Sequence, residues 1–498
     1  MSQKHISRRQ FLQTSVLGAG AMALTGCATL DGLFMGDSHD LTKEVVILGA
    51  GAAGLAAAFE LKKKKIPFRI FEASSRIGGR VQTVNFAPDG SLIAELGAEF
   101  IERDHENVFA LAKELNLSLS EVKAGAKVEP QVFNYGGRNY FLKDLTVHLK
   151  TLQGPLQRVR ADLFRNQDVL LSVQNANQYE RSAYYDSLSL KDLLLSWNKE
   201  VHPLVLNVLE SQALSRFGVD AKEQSALHFL STVDAEGTEL LSGRPIYRMN
   251  AGLSELMQTL AARVEGVIPD RILQTNSPLM EIREDRGIFY LKFQSGGRSE
   301  VYKAKNIICT LPFSKLREVR GWDDLEISSA KKQTIRDLAY APQTKGTLSF
   351  KNRFWLERKN IPANLGNFMG DFLSQKFWES GRQQKTDLGL MSFLRSGQSG
   401  LLAGANTPQE ALNDLKMFYL PLASFEKAQF INWSTRKWAK GSMAYYKPSQ
   451  YMKFKGIAGE PEYDGYLQFA GEHTSLRYAG TLEGAVGSGL RAARQVKI

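Results

Sequence analysis

Gly49, Gly51 and Gly54 stand together in "VVILGAGAAGLAAAFEL", and a carboxylate, Glu72, closes "FRIFE" about 20 residues further on. Residue types at this spacing can hold a dinucleotide. Gly49 suits a tight turn, Gly51 lets the backbone approach a diphosphate beside Ala53, and Gly54 lets a helix pack closely on a strand. Glu72 can accept hydrogen bonds from ribose hydroxyls, while the free amides of a helix N-terminus attract the anion. A second glycine pair follows in "EASSRIGGR", Glu72 to Arg80. It adds another close-approach loop through Ala73, Gly78 and Gly79, with Arg76 and Arg80 as charges beside the diphosphate.

Those residues need a strand, a turn, a helix and a second strand to hold them. Val45 to Leu48 is a β-branched apolar run, and an Ala-rich helix is predicted through Leu61. Lys62 to Lys65 complement that helix's C-terminus, and "FRIFE" is the next strand. A bare glycine motif is weak, but this order of elements makes it specific and predicts an α/β, Rossmann-like domain.

The chain has 498 residues, enough for two domains, and a formal charge of +11. No helix-turn-helix, finger or aromatic-basic motif accompanies that charge, so nucleic acid is not expected as a partner; an anionic membrane surface or cofactor suits it better. The cysteines are Cys27 and Cys309; Cys309, in the apolar "KNIICTLPF", reads as an inert core thiol. Neither they nor the scattered histidines have metal-ligand spacing, and no metal is expected.

The glycine loops together resemble those of FAD-binding flavoprotein amine oxidases, and four later stretches extend the resemblance. "ELGAEFI" is similar to the family's turn at the isoalloxazine ring, which puts Gly97, Ala98 and Glu99 at the cofactor. "ILQTNSPLMEI" resembles the strand that meets adenine through its central residue, here Leu279. "AKNIICTLPFSKL" resembles the strand and proline turn that return to the flavin domain. "FAGEHTSLRYAGTLEGAVGSGLRAA" is similar throughout to the C-terminal flavin motif, implying cofactor contacts from Gly471, Glu472, Thr481 and Leu482. His473 beside them reads as a hydrogen-bonded structural histidine rather than a general base.

The resemblance implies FAD chemistry in which hydride leaves the carbon beside an amine nitrogen and dioxygen reoxidises the flavin, giving imine and hydrogen peroxide. It also implies a catalytic lysine. "APQTKGTLSFKNRFW" is similar to the strand that carries it, with Lys345 at the matching position; strand alternation puts Thr347 and Ser349 on its face.

The chain departs from the family in three places. Ser442 stands where covalent members have cysteine, so FAD is expected to be non-covalent. Met443 and Thr481 replace the two aromatic walls of the amine cage, leaving Tyr445, Tyr446 or Tyr478 as substitutes. Phe100 occupies the place of the carboxylate-binding arginine of amino-acid oxidases, which disfavours a zwitterionic substrate. Glu102 aligns with an acidic residue that polyamine oxidases present to a distant ammonium, or it is a solvated carboxylate at a helix start. The expected activity is oxidation of a primary or secondary amine, with polyamines as one candidate class. The alternatives are an L-amino-acid oxidase, a flavin desaturase or dehydrogenase with another acceptor, and a non-catalytic flavin-binding protein.

The apolar run within the N-terminal "SRRQFLQTSVLGAGAMALTGC" is too short to span a bilayer, and the stretch resembles a twin-arginine export signal that ends in a lipobox. Cys27 is the expected acylation site, which makes the protein an exported, periplasmic or cell-envelope lipoprotein tethered to a membrane. Residues 1–27 form the signal and 28–42 a linker. Segments 43–110, 240–318 and 432–498 build the FAD domain, interleaved with an α+β substrate domain from 111–239 and 319–431. Within the latter, "VFNYGGRNYFL" is a candidate hairpin and Ser189 a helix cap.

Overall fold

A computed structural model of the chain describes residues 38–122, 129–164, 172–175, 178–179, 181–233, 246–265, 272–356, 364–419 and 424–497. The twin-arginine stretch, Cys27 and the linker through residue 37 lie outside the described residues.

Strand β1 (Ser38–Leu48), helix α1 (Ala52–Lys63) and strand β2 (Phe68–Phe71) form the expected opening unit. Much later come β3 (Leu273–Gln274), β4 (Leu279–Asp285), β5 (Ile288–Ser295), β6 (Arg298–Cys309), β7 (Leu467–Phe469) and the C-terminal helix α2 (Leu482–Gln495). The sheet order is β3-β2-β1-β6-β5-β4, with β7 also on β6. Pairing is parallel across β3, β2, β1, β6 and β7, and antiparallel from β6 through β5 to β4. Val45 and Ile47 on one face of β1 join a core with α1 and α2. The two helices approach so closely that a β-carbon on Gly489 would lie 2.1 Å from the Ala53 carbonyl oxygen.

Two expected boundaries move. The first strand begins at Ser38, inside the stretch read as linker: Ser38 to Leu41 pair in parallel with Val301 to Ala304, and Leu41 is buried. The polar residues there hid a strand whose partner is about 260 residues away (301 against 38). The helix Glu106–Glu114 straddles the expected 110/111 boundary. It belongs with the flavin half, because Val108, Leu111 and Ala112 bury in the core of α1 and α2. The Glu483 carboxylate of α2 also accepts from the amides of Asn107 (3.1 Å) and Val108 (3.0 Å).

The second half is built on a seven-stranded sheet in the order 425–432, 343–350, 389–396, 376–379, 368–370, 132–135, 138–141. The last two strands are the expected hairpin, turning at Gly136–Gly137 with positive φ. Ser189 caps its helix through a capping box with Asp192. Cys309 is buried, and burial pushes its thiol up to about 11, as expected of an inert core thiol.

Candidate active site

A cavity of about 2270 Å³ lies between the halves, lined from the flavin sheet by Gly49, Gly51 and Glu72 and from the second sheet by Lys345 and Trp378. A single small-ligand pocket is roughly 300–1,000 Å³, so a nucleotide and a second molecule fit together.

The nucleotide end fits FAD by what its residues lack. Gly49 turns at φ +106°, and a β-carbon on Gly54 would sit 1.9 Å from the Gly49 oxygen. These two glycines are demanded by the protein's own packing. Gly51 is different: its nearest neighbour would be the Gly79 Cα at 4.0 Å, so the space beside it suits a ligand. Glu72 is oriented by the amides of Ala50 and Ser74, each at 2.8 Å. Ala73 and Leu279 line the cavity beside it. The Arg76 guanidinium is committed to its own loop, donating to the carbonyls of Ile77 and Val81 (3.1 Å each) and of Gly79. Arg80 instead ties the first flavin segment to the last, donating to Glu472 and to the Ser442 carbonyl, both at 2.7 Å. Glu472 also accepts from the amides of Gly480 (2.9 Å) and Ala444 (3.2 Å), leaving about one lone pair of its roughly four for a ligand hydroxyl. Thr481 caps α2, accepting from the Gly484 amide at 3.1 Å, with Leu482 as the first helical residue. The positive helix end meets the cavity there.

Lys345 lies on the strand Gln343–Phe350, directly opposite Leu394, and Leu394 in turn opposes Lys376. Thr347 follows on the same face, hydrogen-bonded to Ser392 at 2.8 Å, while Leu348 and Phe350 enter an aromatic core on the other side. The Lys345 ammonium donates to the Gly97 carbonyl (2.9 Å) and to Glu99 (2.6 Å), so the "ELGA" turn and the lysine strand are one unit. Gly97 permits this turn, since a β-carbon there would lie 2.0 Å from the Arg80 oxygen; the Ala98 amide also bonds that oxygen at 3.2 Å.

Besides its expected place in the cofactor turn, Glu99 has a side-chain role. Its carboxylate pairs with both Arg248 and Lys345 and accepts from the Trp378 indole at 3.0 Å. Burial pushes this carboxyl up, but Arg248 and Lys345 outweigh burial and hold it below the ordinary range. Nearby Glu95 accepts from the Leu253 amide and Thr83, and burial raises it to about 7 despite those bonds and Lys345. Sequence reasoning missed Arg248, Trp378 and Lys376. No local motif surrounds them, and only strand register would have pointed to Lys376.

The remaining expectations divide. Met443 and Thr481 both line the cavity, with Gly480 close to the Met443 sulfur. Tyr478 reaches the wall and donates to the Asp104 carbonyl at 3.0 Å, whereas Tyr445 and Tyr446 lie in the core. Glu102 is half-buried on the cavity wall; it, Asp104 and His105 each bring a possible ligand atom to within 4.8 Å of the others, a grouping that by itself makes no metal site. Ser442 donates to the Ala341 carbonyl at 3.1 Å. His473 is not hydrogen-bonded as expected: among the described residues neither ring nitrogen has a partner, and its ring packs edge-on to Phe313 at 4.5 Å. Burial keeps it neutral, far below the ordinary histidine range.

The model of flavin-containing amine oxidoreductases matches residues 52–497. The chain belongs to that family. It is thus an FAD-dependent oxidoreductase of the amine oxidase type, with the α/β two-domain fold of that family. A flavin-dependent L-tryptophan oxidase, RebO, of Lentzea aerocolonigenes is 25% identical over 492 residues, covering 91% of this chain and 98% of the relative. An L-amino-acid oxidase of Mus musculus is 28% identical, covering 91% of this chain and 70% of its own length. A putrescine oxidase solved with putrescine shares the fold at TM-score 0.77 and 16% identity, covering 91% of this chain and 99% of that one. Cyclohexylamine oxidase from Brevibacterium oxydans IH-35A does so at TM-score 0.74 and 20% identity, covering 91% and 98%.

Proposed function

We propose that this chain binds FAD non-covalently and oxidises a primary or secondary amine in the cavity between its two halves. The observation that carries the reading is Lys345, fixed to Gly97 and Glu99 at the turn the family uses for the isoalloxazine ring. FAD, when bound, supplies the hydride acceptor and passes the electrons to dioxygen, so that amine and dioxygen become imine and hydrogen peroxide. The protein orients the amine and excludes water. Lys345 holds an ammonium at the ring end of the site, where it can position a water and stabilise charge during reoxidation. Ser442, lacking a thiol, offers no covalent link, so acid denaturation should release all the yellow colour into the supernatant.

A visible spectrum followed by a peroxide-coupled screen of amines, polyamines and amino acids tests the reading. Bleaching by an amine with peroxide formation supports it; a flavin that never bleaches overturns it. Bleaching without dioxygen consumption favours a dehydrogenase. An amino-acid oxidase is the second reading, favoured by the relatives that act on L-tryptophan and L-amino acids.

We also propose export by the twin-arginine route and acylation at Cys27, which would tether the enzyme in the cell envelope. A folded-protein route suits a chain that must collect FAD where FAD is made. Replacing Arg8 and Arg9 with Lys should strand the protein in the cytoplasm, and Cys27→Ser should release it from membranes; unchanged fractionation would refute each point.

A further inference from the structure

The wall that carries Lys345 holds a second lysine on the same face. Lys345, Leu394 and Lys376 stand directly opposite one another across three adjacent strands, and all three line the cavity. Opposed residues of paired strands project to one side, so the two lysines rise from backbones about 10 Å apart, two strand spacings.

Their electrostatic situations differ. Lys345 is held by Glu99 and the Gly97 carbonyl. Arg248 is held by Glu99, by the Ser380 carbonyl at 2.8 Å and by the Glu379 carbonyl at 3.4 Å. Arg382 donates to the Leu365 carbonyl at 2.6 Å and to Glu379 at 3.3 Å. The Lys376 side chain makes no hydrogen bond or ion pair among the described residues. Glu99 is already shared by two cations. Burial pushes Lys376 below the ordinary lysine range, with Glu99 opposing and Lys345 adding to the shift, so an incoming anion would favour its charged form.

Position 100 cannot supply this anion site. Phe100 is apolar and packs beneath the Arg248 guanidinium at 5.1 Å and beside Trp378 at 6.0 Å. We propose that Lys376 is the specificity-determining residue of this site, anchoring a carboxylate on the amine substrate. The inference rests on the amine-oxidising reading above and narrows its substrate class to amines that carry an anionic group. A second ammonium, as in a polyamine, would meet Lys376 and be disfavoured.

Calorimetric titration of the flavin-loaded protein with benzoate and benzamide, neither of which has an oxidisable amine carbon, tests the anchor without turnover. Benzoate should bind at least tenfold more tightly than benzamide. A charge-assisted hydrogen bond to a carboxylate predicts that K376M weakens benzoate about 10–100-fold, with K376R restoring most of it. K376Q, with flavin content matching wild type, serves if K376M folds poorly. Equal binding of the two probes, or benzoate affinity indifferent to K376M and K376Q, overturns the proposal. Peroxide release from an amino acid and from its primary amide is read separately. The acid should be preferred, chiefly through KM, and the preference should collapse in K376M. Lys376-dependent benzoate binding with no amine oxidised would sink the oxidase reading and leave the anchor; oxidation with benzoate binding indifferent to Lys376 would sink only the anchor.

Discussion

At the nucleotide cradle the chain works by leaving atoms out, and at the lysine wall by bringing charges in. Gly49, Gly51 and Gly54 fall within six residues and act through backbone and missing β-carbons. Glu99, Arg248, Lys345 and Trp378 come from four distant stretches and act through side-chain charge and hydrogen bonds. The cradle is local in sequence, whereas the wall exists only once two sheets have formed and met. Missing side chains are specified by short-range sequence, whereas a shared charge needs contacts between distant segments.

The sharpest test of that contrast lies within the cradle. Gly54→Ala places a β-carbon 1.9 Å from a backbone oxygen, and the protein should fail to accumulate in soluble form. Gly51→Val meets little protein, so it should keep the melting temperature of the flavin-free chain yet purify colourless. Yellow Gly51→Val protein would remove the diphosphate from that turn.

The wall should respond in stability as well as rate. Glu99→Gln leaves Arg248 and Lys345 without their shared carboxylate and should lower unfolding free energy in urea by about 3–5 kcal/mol. Lys345→Met in the same chain should recover part of that loss; no recovery would mean the three groups are not coupled.

Glu95 gives the wall a pH dependence. Its folded value of about 7 lies above the ordinary 4.5, so the fold keeps it protonated while the unfolded chain ionises. Its contribution therefore weakens as pH rises from 4.5 to 7. Glu95→Gln, neutral in both states, should match wild type near pH 4 and gain on it with rising pH, reaching on the order of 3 kcal/mol above pH 7. A constant difference in melting curves across that range would show that Glu95 is not desolvated.

The smallest expected effect is on chemistry. Lys345→Met should slow reoxidation by dioxygen about 100-fold, near 2.7 kcal/mol, in stopped-flow mixing, with anaerobic flavin reduction changed only severalfold. Equal losses in both half-reactions would make Lys345 a structural residue of the wall.

Much of the flavin half was legible because its determinants are short-range. The strand, glycine turn, helix and acid are fixed by β-branched runs, missing side chains and spacing, and Ser189 and the Gly136–Gly137 hairpin yielded to the same local rules. Lys345 was legible only through resemblance, since a lysine in an alternating strand looks like any surface residue. The boundary errors were long-range: Ser38 to Leu41 become a strand because Val301 to Ala304 lie beside them, and Glu106–Glu114 joins the flavin half because Glu483 caps it.

The sequence by itself determined a first strand-turn-helix unit of the kind that can hold a dinucleotide, because each residue there answers to neighbours a few positions away. Tertiary structure alone decided which charges face the cavity. Register across the second sheet put Lys376 in line with Lys345, and the meeting of the halves brought Lys345 to Glu99, already paired with Arg248, while among the described residues Lys376 has no carboxylate partner. Charge at a site is a sum over side chains that only folding brings within ångströms of one another.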